Sequence, residues 1–133
     1  MIGKNNPFNI RYQKQNHWKG QIGRTGAFVN FSCRQYGIRA AAYLLIWSYR
    51  RICIDTIDGI INRFAPPVEN ETQRYITYVC NKSQLDRFKH LHTRLDYMLV
   101  LKAMSHFEGN PVIFEEISEC FRSFNLKLYD CPE

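Results

Sequence analysis

Residues 34–52 read RQYGIRAAAYLLIWSYRRI, and this stretch decides the fold class. Tyr36, Ala40, Tyr43, Leu44 and Ser48 recur at three- and four-residue spacings, while Ala40–Ala42 and Leu44–Leu45 carry high helix propensity. A long, largely buried helix is predicted there. C-terminal to it, Ile57, Ile60, Ile61 and Phe64 repeat the helical spacing, with Asp55 or Thr56 placed to cap the first turn and Pro66-Pro67 to stop the helix. Glu69–Cys80 reads as a third helix striped by Thr72, Tyr75, Ile76 and Val79, with Glu69 and Glu71 at the end where the dipole favours acids. Ser83 is positioned to cap a short helix through Lys89. Thr93 opens a helix carrying Leu95, Met98, Leu99, Leu101, Met104 and Phe107 around more than one side, and Gly109-Asn110-Pro111 ends it. Glu115–Phe124 is a last amphipathic helix.

N-terminal to residue 33 the character changes. Asn9–Tyr12, His17–Ile22 and Ala27–Phe31 are short stretches bounded by Gly or Asn, which suits irregular segments and a small antiparallel sheet. The expected class is therefore α+β, mainly α, with five or six helices. One domain spanning 1–133 is expected, made of a sheet-containing lobe at 1–32, a helical lobe at 33–126 and a tail at 127–133. The length fits, since domains run to roughly 100–150 residues.

Hydrophobic residues make up 45% and charged residues 23%, which excludes the composition of disordered chains. The longest apolar run, Ile38–Trp47, is broken by Arg39 and is far shorter than a membrane span, so no membrane partner is expected. The polar start, with Asn5, Asn6 and Pro7, lacks the apolar centre of a secretory signal. The chain is expected to be made and kept in the cytoplasm unless another machine carries it out. Cys33, Cys53, Cys80, Cys120 and Cys131 are an odd, widely spaced set without a close pair, which reads as mostly free thiols in a reducing compartment. His17, His90, His92 and His106 do not form a spaced ligand set, so neither a metal nor another cofactor is expected. The 18 Lys and Arg against 12 Asp and Glu give +6, which attracts polyanions such as anionic cell wall or nucleic acid. Arg34, Arg39, Arg50, Arg51 and Arg63 match no nucleic-acid-binding motif and read as a solvated basic face, so nucleic acid is the less favoured partner.

Several blocks together resemble a family of phage and prophage virion structural proteins: Asn-Pro-Phe-Asn-Ile-Arg-Tyr (6–12), Trp18-Lys19-Gly20-Gln21, Gly37-Ile38-Arg39-Ala40, and the run from Thr56 to Pro67 followed by Glu69-Asn70-Glu71-Thr72 and Tyr75-Ile76. One departure bears on the opening turn, because that family usually has Gly where this chain has Phe8. The blocks also look like a weaker version of bacterial glucosaminidases and other lysozyme-superfamily domains, in which a catalytic Glu ends a helix upstream of the Asn-rich turn. Here the segment most similar to that helix is Leu99–Asn110, with Glu108 followed by Gly109, which implies a circular permutation of the lysozyme-like arrangement. The resemblance implies virion association, other virion proteins as partners, and peptidoglycan or another bacterial glycan as ligand.

Glycoside cleavage needs an acid that protonates the leaving oxygen, held in an apolar surround. Met104 and Leu101 lie one and two turns behind Glu108, and the C-terminal end of a helix disfavours an anion, so Glu108 is the candidate general acid. Asp58, Glu69 or Glu71 are candidates for an assisting carboxylate. Asn6, Asn9, Trp18, Tyr36 and Tyr75 are the candidate sugar-groove residues, because amides suit hydroxyl and acetamido groups and aromatic faces suit apolar sugar faces. Each has a plainer role open to it: the asparagines can shape a turn, and Trp18 and Tyr75 can fill the core. The sequence thus points first to a phage-derived, peptidoglycan-active lysozyme-like domain that cuts glycan strands by hydrolysis or lytic cleavage. A non-catalytic virion structural protein of the same fold and a basic nucleic-acid-binding accessory protein are the alternatives.

Overall fold

The computed structural model describes residues 3–67 and 71–130; Glu69, Asn70 and Cys131, read above, lie outside the described residues. The architecture is α+β and mainly helical. Two strands, β1 (Gln21–Thr25) and β2 (Phe28–Phe31), form an antiparallel hairpin that pairs Gln21 with Phe31 and Thr25 with Phe28. Of the short stretches read above, Asn9–Tyr12 contributes only an isolated bridge, Arg11 to Phe28. Alternation in β2 turns Val29 and Phe31 inward, where they are buried with Phe8 and Ile10.

The helix expected at 34–52 forms, but its hydrogen-bond ladder changes along the way. Helix α1 (Arg34–Tyr43) runs into a π-helical turn at Leu44–Tyr49 and a 3₁₀ turn at Arg50–Ile52. Cys53 ends it in the left-handed region at φ 64°. Ile38, Ala40, Ala41, Ala42, Leu45 and Ile46 are all buried, and small residues let the opening bend lie directly on α1. A Cβ on Gly37 would stand 2.1 Å from the Asn5 carbonyl oxygen, so only glycine permits that approach.

Helix α2 (Ile57–Phe64) is capped by Thr56, whose hydroxyl accepts from the Gly59 N–H at 3.1 Å. Helix α3 (Thr72–Ser83) packs on α2 and on α4 (Arg94–Phe107), and α5 (Phe114–Ser123) packs on α4 and α1. The expected short helix at 83–89 does not form. Ser83 belongs to the last turn of α3, Gln84 leaves it at φ 61°, and Asp86 accepts from the Phe88 N–H at 3.0 Å, a local turn that competes with helix. The segment is tied instead to the start of α2, through Asp58 N–H to the Arg87 carbonyl and Leu91 N–H to the Asp55 carbonyl. Among the described residues no helix is long and apolar enough to cross a membrane.

One buried cation knits the far side together. Arg50, 8% exposed, donates from Nε to the Tyr129 carbonyl at 2.6 Å and from Nη1 to the Leu91 carbonyl at 2.7 Å. Tyr129 N–H in turn donates to the Ile46 carbonyl, so the tail closes onto the π-helical turn.

Two carboxylates cap helices and make stability acid-sensitive. Burial pushes Asp96 up, but the backbone N–H groups of His92 and Thr93 and the ammonium of Lys89 outweigh it and hold it below its ordinary value of 3.8. Glu116 is held below 4.5 in the same sense: burial opposes, and the Arg34 guanidinium at 2.6 Å and the Ile113 N–H prevail. A carboxyl depressed by folding stabilises above its unfolded pKa, and that contribution drains away as pH falls through the folded value. Thermal melts should therefore show Glu116→Gln less stable than the parent at about pH 6, with the gap narrowing as pH falls below 4.5 and through the lower folded value. A gap that stays constant across that range would mean the carboxylate contributes nothing through its charge.

Candidate functional site

The opening bend is built by two asparagines with different tasks. Asn6 is 3% exposed; its amide donates to the carbonyls of Ile10 and Val29 at 2.9 Å each, and its oxygen accepts from the Ile10 N–H at 2.8 Å. It therefore shapes the turn and does not face solvent. Asn9 adopts φ 53°, a left-handed conformation that Asn tolerates, and its half-buried side chain reaches to the end of α4. Phe8, where the similar family usually has Gly, is fully buried beneath the bend.

The other half of the site comes from the end of α4. Leu101 and Met104 are fully buried, Glu108 is the half-buried C-cap, and Gly109 turns away at φ 84°. Asn9 Nδ2 donates to Glu108 Oε1 at 2.8 Å, joining residues that stand 99 positions apart in the chain. Asn9 Oδ1 is buried without a hydrogen-bond partner. Beneath the carboxyl lies Tyr75, 2% exposed and stacked on Phe107 at 4.0 Å between ring centres. Its hydroxyl makes no hydrogen bond of ordinary geometry, and its pKa is raised well above 10, first by burial and then by the nearby charge of Glu108.

Asn9 and Glu108 open onto a cleft of about 1230 Å³ between the N-terminal lobe and the helices. One wall carries Arg11, Gln13, Asn16, Trp18 and Lys19. The other carries Arg39, Tyr43, Ser48, Tyr49, Arg51 and Arg63, so the π-helical turn is part of it. Such turns recur at functional sites. Trp18 meets Tyr43 edge to face across the cleft at 6.3 Å. Tyr49 is pushed up to about 12 by burial, against the opposing charge of Arg63.

The structure thus brings together three of the residues singled out from sequence, Asn9, Trp18 and Glu108. Asn6 and Tyr75 lie beneath that surface. Tyr36 is turned aside: it packs over Gly20 and against Phe124, 5.5 Å between ring centres. Neither Asp58 nor Glu71 lines the cleft; Asp58 pairs with Arg87 at 2.7 Å and Glu71 with Arg74 at 2.9 Å. Glu108 is the cleft's one carboxylate among the described residues. No three His, Cys, Asp or Glu side chains are grouped to hold a metal among those residues, and Cys33, Cys53, Cys80 and Cys120 are free thiols.

The arginines correct the expectation of one solvated basic face. Arg34 pairs with Glu116, Arg50 is buried, and Arg39, Arg51 and Arg63 line the cleft. Adjacency hid this, because Arg50 and Arg51 point to opposite environments. At α-helical spacing Arg50, eleven residues on, would share the face of Arg39 and Arg51 would lie about 120° from it, so the π-helical turn between them removed the signal that spacing gives.

No family model matches the chain. It is 34% identical to "Protein P5" of Pseudoalteromonas phage PM2 over 126 residues, which take in 90% of this chain and 78% of that protein. Identity at that level over most of both chains is a family relationship, and the chain belongs to the family of this phage protein.

Proposed function

We propose that this phage-family protein is a peptidoglycan-active domain of lysozyme-like arrangement, in which the cleft binds a glycan strand and Glu108 is the general acid. The observation that carries the reading is the 2.8 Å hydrogen bond from Asn9 to Glu108 at the cleft edge. It sets a carboxyl at the end of an apolar helix beside the Asn-rich bend, as the resemblance to glucosaminidases implies.

With one carboxylate lining the cleft among the described residues, the chemistry that fits is cleavage assisted by the substrate. Glu108 gives its proton to the glycosidic oxygen as the bond to C1 breaks, and the carbonyl oxygen of the neighbouring N-acetyl group closes on C1. The Glu108 carboxylate then takes a proton either from a water that attacks C1, leaving a reducing end, or from the sugar's own 6-hydroxyl, leaving an anhydro end. The amides of Asn9, Gln13 and Asn16 suit the hydroxyl and acetamido groups of such a strand, and Trp18 and Tyr43 suit its apolar faces.

Purified, protein-free cell walls provide the test. Turbidity should fall, and mass analysis should find soluble muropeptides with reducing or anhydro ends. Walls that bind the protein but release no fragments would remove the enzyme and leave a virion component that retains glycan affinity.

A further inference from the structure

The cleft is far more basic than a neutral-sugar groove requires. Lys19, Arg39, Arg51 and Arg63 line it with Arg11, and among the described residues Glu108 is the one carboxylate they face, in a chain whose formal total is +6. Outside the cleft four arginines have carboxylate partners: Arg34 with Glu116, Arg74 with Glu71, Arg87 with Asp58 and Arg122 with Glu119. Among the described residues Arg39, Arg51 and Arg63 have none, and Arg39 is held instead over the rings of Tyr43 and Phe124. Low-dielectric walls focus the field of such a group into the cleft.

We infer that Arg39, Arg51 and Arg63 form an anion-reading wall, so that the cleft selects a glycan strand bearing carboxylates over a neutral one. This rests on the glycan reading given above. The geometry supports a strand rather than a single ion. Arg39 and Arg51 are twelve residues apart, roughly 18 Å along an α-helix and somewhat less across a π turn, so the positive charge is spread along the cleft. Arg63 stands beside Tyr49 on the same wall. A nucleic acid fits less well, because its evenly spaced phosphates would bring a negative charge against Glu108. Carboxylates carried on alternate sugars leave the unit at Glu108 uncharged. Arginine also meets a carboxylate through two parallel N–H donors, which fixes the register of the strand.

The test is equilibrium binding of the full chain, followed by tryptophan fluorescence, to three probes of similar length: peptidoglycan strands stripped of stem peptides but retaining lactyl carboxylates, N-acetylglucosamine oligomers, and a single-stranded oligonucleotide. At about 0.05 M salt the acidic strand should bind roughly tenfold or more tightly than the neutral oligomer, and the advantage should fade by about 0.5 M. The Arg51→Gln/Arg63→Gln double variant should lose the preference while keeping its melting temperature, since both side chains are exposed. Equal affinity for acidic and neutral strands at low salt would overturn the inference, as would a double variant that keeps the preference. Tighter binding of the oligonucleotide, weakened by the same substitutions, would overturn it in favour of nucleic acid. Cleavage is scored separately: acidic strands bound but never cut would remove the general acid and leave this wall standing, whereas neutral oligomers bound and cut equally well would do the reverse.

Discussion

Glu108→Gln is expected to lower wall degradation by roughly a hundred- to ten-thousand-fold while leaving wall binding and melting temperature nearly unchanged. Glutamine keeps the size of the side chain and retains a carbonyl oxygen that can accept from Asn9 Nδ2, so the contact at 2.8 Å survives. What it lacks is the proton that the leaving oxygen must receive. The residue is the C-cap of α4, half-buried, and its backbone bond to the Met104 carbonyl is independent of the side chain, so little folding energy is at stake. Turbidity assays on purified walls, run beside a pull-down on the same walls, separate the two effects. Equal degradation by both proteins would take the role away from Glu108, and loss of binding together with activity would make the carboxyl a ligand contact.

Asn6→Ala should cost about 3–5 kcal/mol of folding stability, the upper range for a single substitution. Three hydrogen bonds end on this one buried side chain, and alanine leaves the Val29 carbonyl and the Ile10 N–H to find other partners in a space closed to water, while the Ile10 carbonyl keeps the Val29 N–H at 3.0 Å. Each such buried orphan costs about 1–3 kcal/mol. Urea unfolding would measure it, and a loss below about 1 kcal/mol would show that the bend is held mainly by Phe8 and by the Asn5 amide on the Phe31 carbonyl. Because the bend also sets the positive φ of Asn9, wall degradation should fall in this variant even at temperatures where it remains folded.

Much of the helical layer can be read directly from residue order. Thr56 caps where a β-region hydroxyl ahead of an apolar stripe should cap, and Gly109 turns the end of α4 where a glycine before Asn-Pro should. The α+β class follows from the change of period at residue 33. The π-helical turn leaves no such mark, since the apolar residues from Leu44 to Tyr49 suit either ladder. Ser83 misled because a hydroxyl can close a helix by bonding back to the previous turn as readily as it opens one. At the site, residue type placed Asn9 and Glu108 among the candidates, but type cannot separate Asn6 from Asn9, three positions apart in one bend, one closed on the bend's own backbone and the other on Glu108. The same holds for Tyr75, which has the composition of a groove aromatic and the environment of a core one. Burial is a property of the closed fold, and local spacing carries only part of it.

The π-helical turn has an evolutionary corollary. It holds one residue more than an α-helical turn needs, so removing a single codon between 44 and 49 would restore regular winding and rotate everything after it by about 100°. Arg50 and Arg51 would then exchange the tail for the cleft, or lose both, with no arginine mutated. Kin of this chain can thus redraw the electrostatics of their groove by insertion or deletion within one helix, a route that a column-by-column tally of substitutions would overlook.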